Sequence, residues 1–179
     1  MSRTTKQDWL RLGLGTLASE GTSGLTIDSL TQKLSITKGS FYHHFQSYDD
    51  YKNTLLAFWN EQYTQRIIDF SEHIENKAQI FQRFVEILCS ESPAVEIAIR
   101  SWAFQDVEVQ SYVQRIDQLR IQYAKEWFDQ TLPNQDQSQA YAVLLNAALI
   151  GSYSTFPPLI GDDLRSFLRT FFECLGIRI

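Results

Sequence analysis

Between Gly24 and Phe45 the chain encodes two short helices and the tight turn that joins them, and few folds accommodate that pattern. Thr26 stands before the first helix as its N-cap, because its hydroxyl oxygen can accept from an otherwise unpaired first-turn N–H. Ile27, Leu30 and Leu34 recur at helical spacing and give that helix one apolar face. Ser35-Ile36-Thr37 makes the turn, with Ile36 dropping toward the core and Thr37 capping the second helix. The second helix buries Phe41 and Phe45, four residues apart, and leaves Lys38, Gly39, Ser40, Tyr42, His43 and His44 for its other faces. A helix-turn-helix presents the N-terminal part of its second helix to the DNA major groove, which is where these polar residues fall.

Leu25-Thr26, Leu30, Lys38-Gly39-Ser40, Tyr42, His44-Phe45 and the acidic Asp49-Asp50 together resemble the TetR/AcrR family of bacterial transcriptional regulators. A preceding amphipathic helix that ends at Glu20-Gly21 completes the resemblance, which covers roughly the first third of the chain. It implies a homodimeric repressor on a near-palindromic double-stranded DNA operator, released by an effector. It also implies DNA contacts from Thr26, Thr37, Lys38, Gly39, Ser40, Tyr42, His43 and His44. Tyr42 and Lys38 would meet the backbone, while Thr37, Ser40 and His43 would meet base edges or nearby phosphates. Gly39 would let the start of the helix approach the duplex closely, with N–H groups suited to a phosphate. Two positions depart from the family pattern. Ser35 stands where a turn glycine is common, and Tyr48 stands where a phosphate-binding lysine is common. At Tyr48 the contact is either lost or replaced by the hydroxyl.

Net charge is −5, which at first opposes a nucleic-acid partner. Its distribution resolves the conflict. Residues 1–52 hold six Lys/Arg against five Asp/Glu, a balance of +1, while residues 53–179 hold ten against sixteen, a balance of −6. Even so, +1 is a weak footprint for phosphate, and dimerisation would double it. No apolar run approaches a membrane span. The residues from Met1 to Asp8 lack the apolar core of a signal peptide, so a cytoplasmic location is expected. Cys89 and Cys174 read as buried apolar fillers rather than a disulfide.

No strand alternation or repeat interrupts the chain, and the whole reads as all-α: a DNA-binding domain over 1–48 and a helical effector-binding and dimerisation domain over 49–179. The spacing predicts helices over 6–20, 49–73, 77–88, a segment beginning with Pro93 in its first turn, 106–132, 138–153 and 162–175, with Pro133-Asn134 breaking the long one. Leu55, Leu56, Trp59, Tyr63, Ile67 and Phe70 form the stripe of the helix after Asp49. Gly13 and Gly15 weaken the first helix, each by roughly 1 kcal/mol relative to alanine, and would be useful only where packing is close. The last two helices are apolar on more than one face, so a second copy is expected to cover Leu145, Leu149, Leu164, Phe167, Leu168, Phe171 and Phe172.

By the same resemblance, the aromatic set Trp59, Tyr63, Phe84, Trp102, Tyr123 and Trp127 marks the region of an effector pocket suited to a small apolar, aromatic or cationic molecule. Asp106 is expected to cap a helix, and Asp117 and Arg120 to pair at i,i+3. His43-His44 make a poor metal pair, because adjacent helical side chains diverge by about 100°. No nucleophile elbow or phosphate loop is present, so neither metal, cofactor nor catalysis is expected. A helical ligand-binding or protein-interaction module that has lost specific DNA reading is the alternative, motivated by Tyr48 and the low N-terminal charge.

Overall fold

A computed structural model of the chain describes residues 4–72, 77–132 and 134–177. Arg3, the side chain of Phe70, His73 and Pro133, on which parts of the sequence reading rest, lie outside it. Among the described residues the fold is all-α, without a strand, and no helix is long and apolar enough to cross a membrane.

Helix α1 (Lys6–Glu20) begins with a reciprocal cap, in which the Asp8 N–H donates to Thr5 Oγ1 at 3.2 Å and the Thr5 N–H to Asp8 Oδ2 at 2.8 Å. It stops at Gly21, whose φ of 69° is a region that favours glycine. Then follow α2 (Ile27–Leu34), α3 (Lys38–His44) and α4 (Tyr48–Asn60). The helix expected to run unbroken from Asp49 instead carries a π-turn over Glu61–Gln65 before α5 (Arg66–Glu72). A π-turn inserts one residue into the helical register and swings the following side chains by about 100°. The remaining elements are α6 (Lys77–Ser90), α7 (Ala94–Ala103), α8 (Val107–Thr131), α9 (Ser138–Tyr153) and α10 (Gly161–Cys174), close to the predicted bounds.

The chain divides into two compact units: residues up to Tyr63 with Ala94–Val113, and Thr64–Pro93 with Gln114–Ile179. The first unit therefore takes in α4 and α7 as well as the helix-turn-helix. Its core is an aromatic knot. Trp9 meets Phe41 edge-on at 5.4 Å, and the Tyr51 ring lies 5.4 Å from Phe41 and 4.9 Å from Phe45. Leu10, Leu14, Leu17, Leu25, Leu30 and Leu55 close around these rings, each at most 5% exposed. Gly13 belongs to this packing: a Cβ there would stand 1.9 Å from the Tyr51 hydroxyl, which donates to the Trp9 carbonyl at 3.3 Å. At Gly15 a Cβ would meet nothing.

The second unit is centred on Phe81, Val85, Phe128, Leu145, Leu164, Leu168 and Phe172, with Trp127 packed beside them. Four of the seven residues expected at a dimer surface belong to this core instead. Leu145, Leu164, Leu168 and Phe172 are buried within their own chain, so their area is not available to a partner. Leu149, Phe167 and Phe171 are half-buried against the same core. The apolar side chains that α9 turns outward are Val143 and Leu144, 45% and 50% exposed.

Gly13→Ala is expected to destabilise the protein by about 1–3 kcal/mol through overpacking against Tyr51, more than its gain in helix propensity. Gly15→Ala should stabilise by up to about 1 kcal/mol. Urea unfolding of the two variants checks both signs.

Candidate nucleic-acid interface

Seven residues are too few to hold a helix in water, so α3 persists because it is clamped at both ends. At its start, α2 ends on Ser35 in the left-handed conformation, φ 55° and ψ 42°. The Ile36 N–H then donates to the Thr31 carbonyl at 3.0 Å and closes the turn. A serine there costs roughly 1 kcal/mol that glycine would avoid, so the turn is held at some strain. At its far end Phe41 and Phe45, 0% and 1% exposed, sink into the aromatic knot. With those two inward, Thr37, Lys38, Gly39, Tyr42 and His43 face solvent and Ser40 is half-exposed.

The candidate residues do not all behave alike. Thr26 spends its hydroxyl oxygen on the Ser29 N–H at 3.1 Å and caps α2, although it remains exposed. Thr37 occupies the N-cap of α3 with no hydrogen bond from its side chain to the helix start. Tyr42 is 56% exposed, with its ring 5.4 Å from Phe41 in a T-shaped arrangement. His44 corrects the sequence reading. Its ring is half-buried and Nε2 lies 3.2 Å from the Thr4 carbonyl, so it ties down the N-terminal segment instead of facing outward.

Gly39 is informative for what surrounds it. A Cβ at this position would meet only Thr37 Oγ1, at 3.6 Å, an ordinary contact. Nothing inside the protein requires glycine there.

The cations of this segment are largely occupied. Lys33 pairs with Glu20, and Lys38 lies 2.6 Å from Asp28 on α2. The hydrogen bond from Lys38 to Asp28 raises its pKa above the ordinary lysine value, so the charge is retained. Lys52 is buried among carboxylates. Lys6 sits 5.0 Å over the Phe45 ring, and Arg11 bonds Gln7. At Tyr48 the hydroxyl donates to the Leu25 carbonyl at 2.7 Å. Burial holds its pKa above the ordinary tyrosine value, so the proton stays on the oxygen and is spent inside the protein. The hydroxyl thus latches α4 to the segment ahead of α2.

The residues expected at an effector pocket divide between the units. Trp59 and Trp102 are buried and Tyr63 half-buried in the first. In the second, Trp127 packs on Phe81 and Phe128, with Phe84 at the edge of that cluster and Tyr123 half-buried. A cavity of about 470 Å³ in the first unit is bounded by Leu17, Gly21 and Ser23 on one side and Ile97, Ser101 and Trp102 on the other, so it shares only Trp102 with the expected set.

Gly39→Ala should leave stability unchanged or raise it by up to about 1 kcal/mol. A clear loss of stability in thermal unfolding would mean that the glycine serves the fold itself.

No family model matches the chain, and no curated protein matches it in sequence. Solved structures do. The reduced form of NemR from E. coli superposes with a TM-score of 0.77 at 17% identity, over 93% of this chain and 95% of that one. A TetR/AcrR-family regulator from Aquifex aeolicus VF5 superposes at 0.66 and 17% identity, over 97% and 98%. A regulator from Saccharomonospora viridis in complex with choline superposes at 0.63 and 14%, over 94% and 95%. The coverage is nearly complete in each case, and the chain has the all-α fold of TetR/AcrR-type transcriptional regulators along its whole length.

Proposed function

We propose that the chain is a sequence-specific DNA-binding transcriptional regulator. Residues 1–48 read the duplex, and residues 49–179 dimerise and take an effector. The observation that carries this reading is the outward face of α3. Thr37, Gly39, Tyr42 and His43 are held in solvent by two buried phenylalanines, and the glycine serves no contact within the protein. The surplus of acid lies in the sequence after residue 52, and the likeness to transcriptional regulators over 93% of the chain supports the same assignment.

Two recognition helices in a symmetric dimer would match half-sites about one helical turn apart, so the target is a near-palindrome. The second copy would sit against the outward face of α9, where Val143 and Leu144 are exposed between Ala140 and Ala147. Repression by occupancy is the simplest output. An effector that binds one arrangement of the two recognition helices better than another would release the DNA, by no more than its difference in affinity for the two states. The choline held by the S. viridis protein makes a small cation lying against aromatic faces the first effector class to screen.

The internal pairing of Lys38 and the latch at Tyr48 favour one other reading, a module that keeps the fold without the DNA reading. Selection from a random pool of duplexes separates the two. Enrichment of an inverted repeat, with affinity that falls as salt rises, is expected of the regulator. Tyr42→Ala should then weaken binding by about 1–3 kcal/mol without changing the salt slope, since the phenol carries no charge. No enrichment would favour the module. Leu144→Glu should give monomers by light scattering, and a variant that stays dimeric would place the interface elsewhere.

A further inference from the structure

The first turns of α4 send three side chains to three partners. Tyr48 donates to the Leu25 carbonyl, and Tyr51 donates to the Trp9 carbonyl while packing on Phe41 and Phe45. Lys52 points its ammonium at the beginning of α8, 3.3 Å from Asp106 and 2.5 Å from Glu108, with Asp49 3.8 Å away. Lys52 is 7% exposed, a rare degree of burial for a lysine.

Asp106 uses one carboxylate for two elements. Its Oδ1 accepts from the N–H groups of Glu108 at 2.9 Å and Val109 at 3.2 Å, which caps α8, and its Oδ2 accepts from Lys52. Burial alone would raise the Asp106 pKa. The Val109 and Glu108 N–H groups and Lys52 outweigh it, so the carboxyl sits below the ordinary aspartate range. The hydrogen bond to Glu108 likewise keeps Lys52 above its ordinary value, against burial. Both groups are charged across neutral pH.

An ion pair of this kind is a poor source of stability, because stripping water from the ammonium offsets much of the attraction. What it supplies is geometry. A buried ammonium is satisfied only where the carboxylates stand around it, so α4 and the first turn of α8 have one register in which the cluster closes. We propose that Lys52 is a positioning residue for DNA reading: its tie to Asp106 fixes α4, and with it the recognition hairpin that Tyr48 and Tyr51 latch to α4, against the start of α8. This inference rests on the regulator function proposed above.

Two substitutions isolate the tie. Lys52→Met removes the charge at similar volume, and Asp106→Asn keeps a capping oxygen for α8 while removing the partner charge. On a duplex recovered by selection, at a temperature where unfolding curves show every protein folded, each variant should bind about tenfold more weakly than the parent. The double variant should be no weaker than the poorer single one, and Lys52→Arg should retain affinity. Amide exchange without DNA should quicken over the first turns of α4 and leave α1 unchanged. Folded variants that bind like the parent, or losses that simply add, would overturn the proposal. If the parent itself selects no duplex, the regulator reading fails by that result alone. The exchange comparison still judges the tie, and unchanged exchange in α4 would refute it.

Discussion

The burial of Phe41 and Phe45 against Trp9 and Tyr51 is the contact on which the rest of this molecule depends. Helix α3 is seven residues long and could not form alone. Each buried phenylalanine contributes about 2–3 kcal/mol, enough together to offset the nucleation cost of so short a helix. Because the two rings lie one turn apart, their burial also sets the rotation of the helix about its axis. That rotation, more than any polar contact, turns Thr37, Tyr42 and His43 to the solvent. Gly13 belongs to the same arrangement, since only a residue without Cβ admits the Tyr51 hydroxyl to the Trp9 carbonyl.

The charges of the first unit work mostly on the protein itself, and exposure decides which of them could be redirected. Lys38 and Asp28 are 59% and 75% exposed along their side chains, so water and salt screen their pair and a phosphate can displace it. Lys52, buried, cannot be redirected in this way. An interface of this kind would draw its affinity from shape, hydroxyls and the doubling of sites in a dimer rather than from a strongly basic surface. That agrees with a local balance near neutrality.

Much of the architecture was legible in the sequence, because apolar spacing and caps locate helices well. Ser138–Tyr153 begins and ends where its pattern does. Helix α3 was legible too, since only Phe41 and Phe45 offer a four-residue apolar repeat there. Contacts across the fold were not. Gly13 and Gly15 are two residues apart on one helix, and only what lies opposite distinguishes them. The hydroxyl of Tyr48 finds the carbonyl of Leu25, and the ring of His44 finds that of Thr4, across separations that no local pattern encodes. In α9 the apolar residues exceed one face, whereas those of α10 recur on a single stripe. The sequence alone could not say that Leu164, Leu168 and Phe172 face their own chain while Val143 and Leu144 face outward. The π-turn at Glu61–Gln65 has no glycine or proline to announce it.

Amide hydrogen exchange of the full chain with and without a selected duplex tests the central claim most directly. The account predicts slowed exchange concentrated over residues 37–43, the solvent face of α3, with α6 unaffected. Binding that leaves 37–43 unprotected and slows exchange elsewhere would show that the chain meets DNA through another surface, and would contradict the account.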